Sequence, residues 1–189
     1  DLHRLIRRQR QMCIRDRTYT ININRQAASV NNAGGNNNQN NNNQNNTDVN
    51  ITSGKYSIGT YITGIEPGTG AADFVKNIAV SASGTVKLLT SSGSENSGKI
   101  ATGNKVAVYD ASGNLKKTYD IVIYGDINGD GAVNALDMIK LNRHILGKGT
   151  LTGAYLEAAD ANRKGDGGNA LDMIIMNRHI LGKSKISQN

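Results

Sequence analysis

The sequence predicts a multi-domain chain: a small β-rich module, of α+β or Ig-like type, followed by an all-α unit of two half-hand loop-plus-helix repeats. Two observations carry this. Asn134–Lys148 (NALDMIKLNRHILGK) is written again as Asn169–Lys183 (NALDMIIMNRHILGK), with thirteen of fifteen positions identical and an offset of 35 residues. Upstream, short apolar-alternating runs separated by Gly, Ser and Asn turns fill residues 48–124, the signature of small β structure. A repeat whose unit is too short to hold a helix alone must pack against its copy.

The first seventeen residues, DLHRLIRRQRQMCIRDR, are set aside from the fold. Gln11–Arg17 is the translation of CAG ATG TGT ATA AGA GAC AG(N), and Arg7–Arg10 that of CGT CGG CAG CGT. Both resemble a transposase-type sequencing-library adapter, with Asp1–His3 matching its flow-cell end. The exclusion changes the bulk chemistry. The formal charge of +7 comes from 22 basic and 15 acidic residues, of which six arginines and two aspartates lie in this segment. The remainder has 16 basic and 13 acidic residues, net +3, which gives no support for nucleic-acid binding. The single cysteine, Cys13, also lies there, and a cysteine-free remainder fits an exported bacterial protein. No signal peptide or membrane-spanning run is visible.

Residues 18–30 open with Thr18–Arg25 (TYTININR), which alternates like a strand and resembles the last strand of a cadherin-like β-sandwich module. Asn31–Asn46 is nearly all Asn, Gln and Gly, cannot bury apolar surface, and makes 31–47 a disordered linker. In the 48–124 module, strands are predicted at Tyr56–Ile65, Val86–Thr90, Lys105–Tyr109 and Thr118–Tyr124. Pro67–Gly70 is a turn and Ala71–Asn77 a short helix, with further turns at Gly84, Ser91–Gly98 and Ser112–Asn114. With one Phe and no Trp, its core leans on Ile, Val and Tyr. Ser91–Ser97 lacks the strand-turn-helix setting of a nucleophile, so no catalytic constellation is found and any enzyme would lie upstream.

Each copy of the repeat follows an oxygen-rich run. Counting from Asp126, Asn128 falls at position 3, Asp130 at 5, Gly131 at 6, Ala132 at 7, Asn134 at 9 and Asp137 at 12. That is the EF-hand calcium register, with a backbone carbonyl at 7 and Asp in place of the usual Glu at 12. The loop contains no nitrogen or sulfur ligand and does not suit zinc. The alternative is an Asx-rich turn that merely caps a helix. The second loop is irregular: Asp160 to Asp172 is thirteen residues. Aligning GDG on GDG pairs Asp166 with Asp130 and gives Asp160, Asn162, Asp166 and Asp172 as side-chain ligands, with a carbonyl near Gly168. Strict counting instead puts Lys164 at position 5, and a degenerate or empty site is the alternative. The expected cofactor is thus Ca2+ at two sites. After the loops, Leu136, Ile139, Leu141 and Ile145, and Leu171, Ile174, Met176 and Ile180, recur at helical spacing. Ile139, Leu141 and Ile145 and their equivalents are predicted to form the core stripe. Gly147 and Gly182 end the helices. Residues 184–189 form a tail.

This duplicated loop-plus-helix, across about Gly125–Gly182 within a 125–183 unit, resembles the type I dockerin family, whose hallmark is two repeats reading D-x-N-x-D-G-x-x-N-x-x-D before an apolar helix ending in I-L-G. The resemblance implies two half EF-hands and calcium-dependent docking onto a cohesin module of a scaffoldin or surface protein. It implies a secreted or cell-surface protein of a Gram-positive anaerobe, anchored in a cellulosome-like assembly for polysaccharide degradation. The 48–124 module is similar to β-rich modules that precede dockerins, as spacer or docking support. In the family the residues just before the last loop aspartate help choose the partner; here they are Ala135–Leu136 and Ala170–Leu171. Arg143 with His144, and Arg178 with His179, are candidate rim contacts, or an ordinary solvated face. Membrane insertion and a small-molecule substrate are not expected. The alternatives are a calcium-stabilised tail with no partner, or the C-terminal fragment of a glycoside hydrolase or cell-wall hydrolase.

Overall fold

A computed structural model of the 189-residue chain describes residues 49–189. The adapter-like segment, the remnant strand and the Asn-rich linker lie outside the described residues.

Seven strands and one helix make the first unit. The strands are β1 (Ile51–Thr52), β2 (Ser57–Ile58), β3 (Tyr61–Thr63), β4 (Ala79–Val80), β5 (Thr85–Leu89), β6 (Lys105–Tyr109) and β7 (Leu115–Ile121); α1 (Ala71–Lys76) joins β3 to β4. Five strands form one mixed sheet in the order β2-β3-β7-β6-β5, and β1 pairs with β4 separately. β3 and β7 run parallel, while β5, β6 and β7 are antiparallel neighbours. The run predicted as one strand, Tyr56–Ile65, is instead the β2–β3 hairpin, in which Ile58 pairs with Ile62 across Gly59, Thr60 and Tyr61. β1 and β4 have two residues each, too short for an alternation to register in the sequence.

The core of this unit is aliphatic, as its composition demands. Ile62, Ile65, Phe74, Ile100, Val106, Val108, Ile121 and Ile123 are essentially sealed from solvent. Tyr56 stacks on Phe74 with ring centroids 5.0 Å apart.

Three more helices follow among the described residues: α2 (Ala135–Ile145), α3 (Gly153–Ala159) and α4 (Ala170–Ile180). α2 and α4 pack together, and Leu141 and Met176, the same position of the two repeats, are wholly buried. Both helices end alike. The N–H of Gly147 donates to the His144 carbonyl at 2.9 Å and that of Lys148 to Arg143 at 2.8 Å; Gly182 and Lys183 repeat this on His179 and Arg178. This is the Schellman closure, with glycine at φ +66° and +68° supplying the left-handed residue.

One segment serves both cores. Along Tyr119–Tyr124, Tyr119, Ile121 and Ile123 point into the sheet's core, and Val122 and Tyr124 into the helical one. Strand alternation thereby bolts the two units together. The tail adds a clasp: Ile186 is buried, and the Gln188 side chain accepts from the Tyr124 N–H (2.8 Å) and donates to the Tyr124 carbonyl (3.0 Å). No helix among the described residues is long and apolar enough to cross a membrane.

Candidate metal loops and docking face

The two loops are built by the same hydrogen bonds. In the first, Asp126 Oδ1 accepts from the Asp130 N–H and Oδ2 from Gly131; Asn128 Oδ1 accepts from Asp130. In the second, Asp160 Oδ1 accepts from Lys164, Oδ2 from Gly165, and Asn162 Oδ1 from Lys164. At the far end, Asp137 accepts from Asn128 and Asn134, and Asp172 from Asn162 and Asn169. Asn134 and Asn169 cap their helices, with Asp137 and Asp172 closing each capping box.

This one-to-one correspondence corrects the GDG-on-GDG alignment. Lys164, not Asp166, stands where Asp130 stands, and Gly165 where Gly131 stands. The left-handed residue at position 4 confirms the frame: Gly129 at φ +78° and Arg163 at φ +56°. The extra residue of the second loop lies after Gly165, so Asp166 occupies position 7, which Ala132 holds in the first loop. The local run of letters misled because backbone geometry, not the GDG triplet, sets the frame.

The carboxylates are placed differently in the two loops. Asp160, Asp166 and Asp172 each offer an oxygen, all within 4.8 Å of one another, and they are the group of that kind found among the described residues. The first loop's carboxylates are more occupied by protein donors. Asp126 takes four N–H groups, from Gly129, Asp130, Thr102 and Gly131, and Asp137 takes three, from Ile127, Asn128 and Asn134. Asp130 receives the Asn128 amide and the Ala132 N–H.

Burial pushes the carboxyl groups of Asp126, Asp137 and Asp172 above the ordinary carboxylate range. Neighbouring carboxylates add to the shift, and the backbone donors oppose it. For Asp130 burial acts in the same direction but is outweighed by its Asn128 and Ala132 donors, so its carboxyl is held low. Buried carboxylates pressed together in an all-oxygen setting fit a hard cation, which relieves both desolvation and repulsion. The residues that would hold Ca2+ are Asp126, Asn128, Asp130, the Ala132 carbonyl and Asp137 in one loop, and Asp160, Asn162, Asp166 and Asp172 in the other. Asn134 and Asn169 have their Oδ1 atoms committed to the amides of Leu136 and Leu171.

The helix faces also depart from expectation. Ile139 is 55% exposed and Ile174 56%, so neither belongs to the core; Ile145 is also exposed. The core positions are Leu141 and Met176, flanked by half-buried Met138, Met173 and Ile175. Leu136 and Leu171 are exposed at 58% and 61%, and Leu146 and Leu181 are exposed equally. At 3.6 residues per turn, Leu136, Ile139, Arg143 and Leu146 fall within roughly 80° of one helix face. Leu171, Ile174, Arg178 and Leu181 do the same. His144 and His179 are half-buried, and their Nδ1 atoms accept from the N–H groups of Leu151 and Ile186. Each ring thus ties the chain leaving its helix back onto it.

No curated protein and no solved structure matches the chain. Residues 124–181, well under half of the chain, match the family model described as Dockerin type I domain. What the match implies for that segment is a non-catalytic, calcium-dependent module that binds cohesins.

Proposed function

We propose that residues 125–183 dock, with calcium bound in both loops, onto a cohesin module of a scaffoldin or surface protein, and so anchor a secreted or cell-surface bacterial protein in a cellulosome-like assembly. The observation that carries this reading is the pair of matched apolar faces, Leu136–Ile139–Leu146 and Leu171–Ile174–Leu181, which account for six of the eight large aliphatic side chains left exposed among the described residues, Leu115 and Ile145 being the others. Three exposed aliphatic side chains on one helix face, with one arginine among them, suit the desolvated centre of an interface. Calcium supports the faces indirectly. Asp137 and Asp172 belong both to the loops and to the capping boxes, so filling a loop fixes the start of the helix that carries Ala135–Leu136 or Ala170–Leu171.

Because the faces are equivalent, a partner can engage either one, in two orientations. The test is binding to a panel of purified cohesins, in calcium and in chelator. Leu136→Asp alone should retain binding within about threefold, since the molecule can turn and use the other face. Leu136→Asp with Leu171→Asp should lose it while calcium-induced helicity survives. Full binding by the double variant refutes the surface. Failure of the unaltered chain to bind any cohesin in calcium refutes the docking role and leaves a calcium-stabilised structural tail.

A further inference from the structure

The two loops share the hydrogen bonds that Asp126 and Asn128, or Asp160 and Asn162, accept from positions 5 and 6, yet only the first takes backbone hydrogen bonds from the β-rich unit. The Thr102 N–H donates to Asp126 Oδ2 at 2.8 Å, across 24 residues, and the Gly68 N–H donates to the Gly131 carbonyl at 2.9 Å. Thr102 is itself fixed: its hydroxyl accepts from the Ile123 N–H and donates to the Ile123 carbonyl, and it is 1% exposed. The loop lies flush on this seat. A Cβ on Gly131 would sit 2.5 Å from the Ile100 carbonyl oxygen, and one on Gly129 2.9 Å from that of Thr102. In the second loop the same two positions are Arg163, a full side chain, and Gly165, with nothing within 4 Å of its added Cβ. Among the described residues, no backbone hydrogen bond reaches the second loop from residues 49–124.

We propose that the β-rich unit is a working part of the first calcium site: its 100–104 segment is a cradle that holds the first loop in ligand-ready shape without the ion, whereas the second loop takes that shape only when the ion arrives. Thr102 is a positioning residue, acting through Asp126. The inference rests on the calcium reading of the first loop, but its central consequence is measured without calcium. A loop already ordered pays less conformational entropy on binding, so the cradle raises the first site's affinity by preorganisation.

The experiment is amide hydrogen exchange on the full chain in excess chelator. Protection factors at Thr102, Gly129 and Gly131 should exceed those at Lys164 and Gly165 at least tenfold. Equal protection in the two loops overturns the cradle, even if calcium later binds both. A second arm uses Gly103→Ala, at φ +84° with its added Cβ against the Tyr155 hydroxyl, and the milder Thr102→Ala, which removes only the two hydroxyl bonds to Ile123. Neither residue is a metal ligand. Calcium affinity of the first loop should fall about tenfold in Gly103→Ala and less in Thr102→Ala, with the second loop unchanged. Equal losses at both loops, or none, overturn the proposal. Absence of calcium binding in the unaltered chain would instead refute the metal reading, and protection in chelator would still report on the cradle.

Discussion

The first and second loops of the repeat differ in what surrounds them more than in how they are folded. Both hang the same hydrogen bonds on an Asp at position 1 and an Asp at the end. The first is enclosed: Asp126 is fully buried and meets four N–H groups, one from another unit. The second is open, with an exposed Asp166 completing a three-carboxylate cluster and a Lys at the position the first loop gives to Asp130. The repeat supplies the local code twice; the neighbours decide which side chains each copy has room for. A Cβ at Gly129 would meet the Thr102 carbonyl, whereas the counterpart position carries Arg163, whose guanidinium lies over the Tyr124 ring at 5.8 Å.

The largest expected effect lies where the copies are still equal. Leu141→Ala and Met176→Ala each open a cavity at the α2–α4 contact and should each cost about 2–5 kcal/mol by chemical denaturation. Ile139→Ala, on the exposed face, should stay within about 0.5 kcal/mol. A large loss at Ile139 would restore it to the core and remove it from the docking face.

Inequality should show next in the closing aspartates. Asp137→Ala strands three N–H groups, that of Ile127 buried and two part-buried, whereas Asp172→Ala strands two part-buried ones; a fully buried group left unsatisfied costs roughly 1–3 kcal/mol, and a part-buried one, which water can reach, less. In calcium, melting should therefore drop further for Asp137→Ala. A larger drop with Asp172→Ala would make the second loop the structural anchor.

Lys164→Asp is the sharper probe of the frame. It restores the carboxylate that the first loop carries at position 5 and removes a cation from the rim of a cation site. Calorimetry should show the second site about tenfold tighter, ~1.4 kcal/mol. No gain would mean that Asp166 already fills that role. The smallest effect is in the caps: Asn134→Ala and Asn169→Ala should each cost ~1 kcal/mol, equally, because both Oδ1 atoms receive one amide.

Much of this was legible in the letters. The duplicated 15-mer places two equivalent helices, Gly147 and Gly182 mark their ends, and the Asp/Asn spacing marks the loops. Three things were not legible, each for a physical reason. Apolar periodicity cannot separate a core face from an exposed apolar face when a helix carries both, so Ile139 and Ile145 read as core from the letters alone. The frame of the second loop depends on a left-handed residue at position 4, and Arg163 does not advertise that conformation as Gly129 does. The bond from Thr102 to Asp126 joins residues far apart in sequence and leaves no local pattern at all.

The most direct test of the central claim is a far-UV circular dichroism titration of the full chain from excess chelator into calcium. The account predicts incomplete helix in chelator, a saturable gain as calcium is added, and a gain that reverses when chelator is restored, because binding free energy becomes folding free energy in the loop that has no cradle. Identical helicity in chelator and in saturating calcium would contradict it.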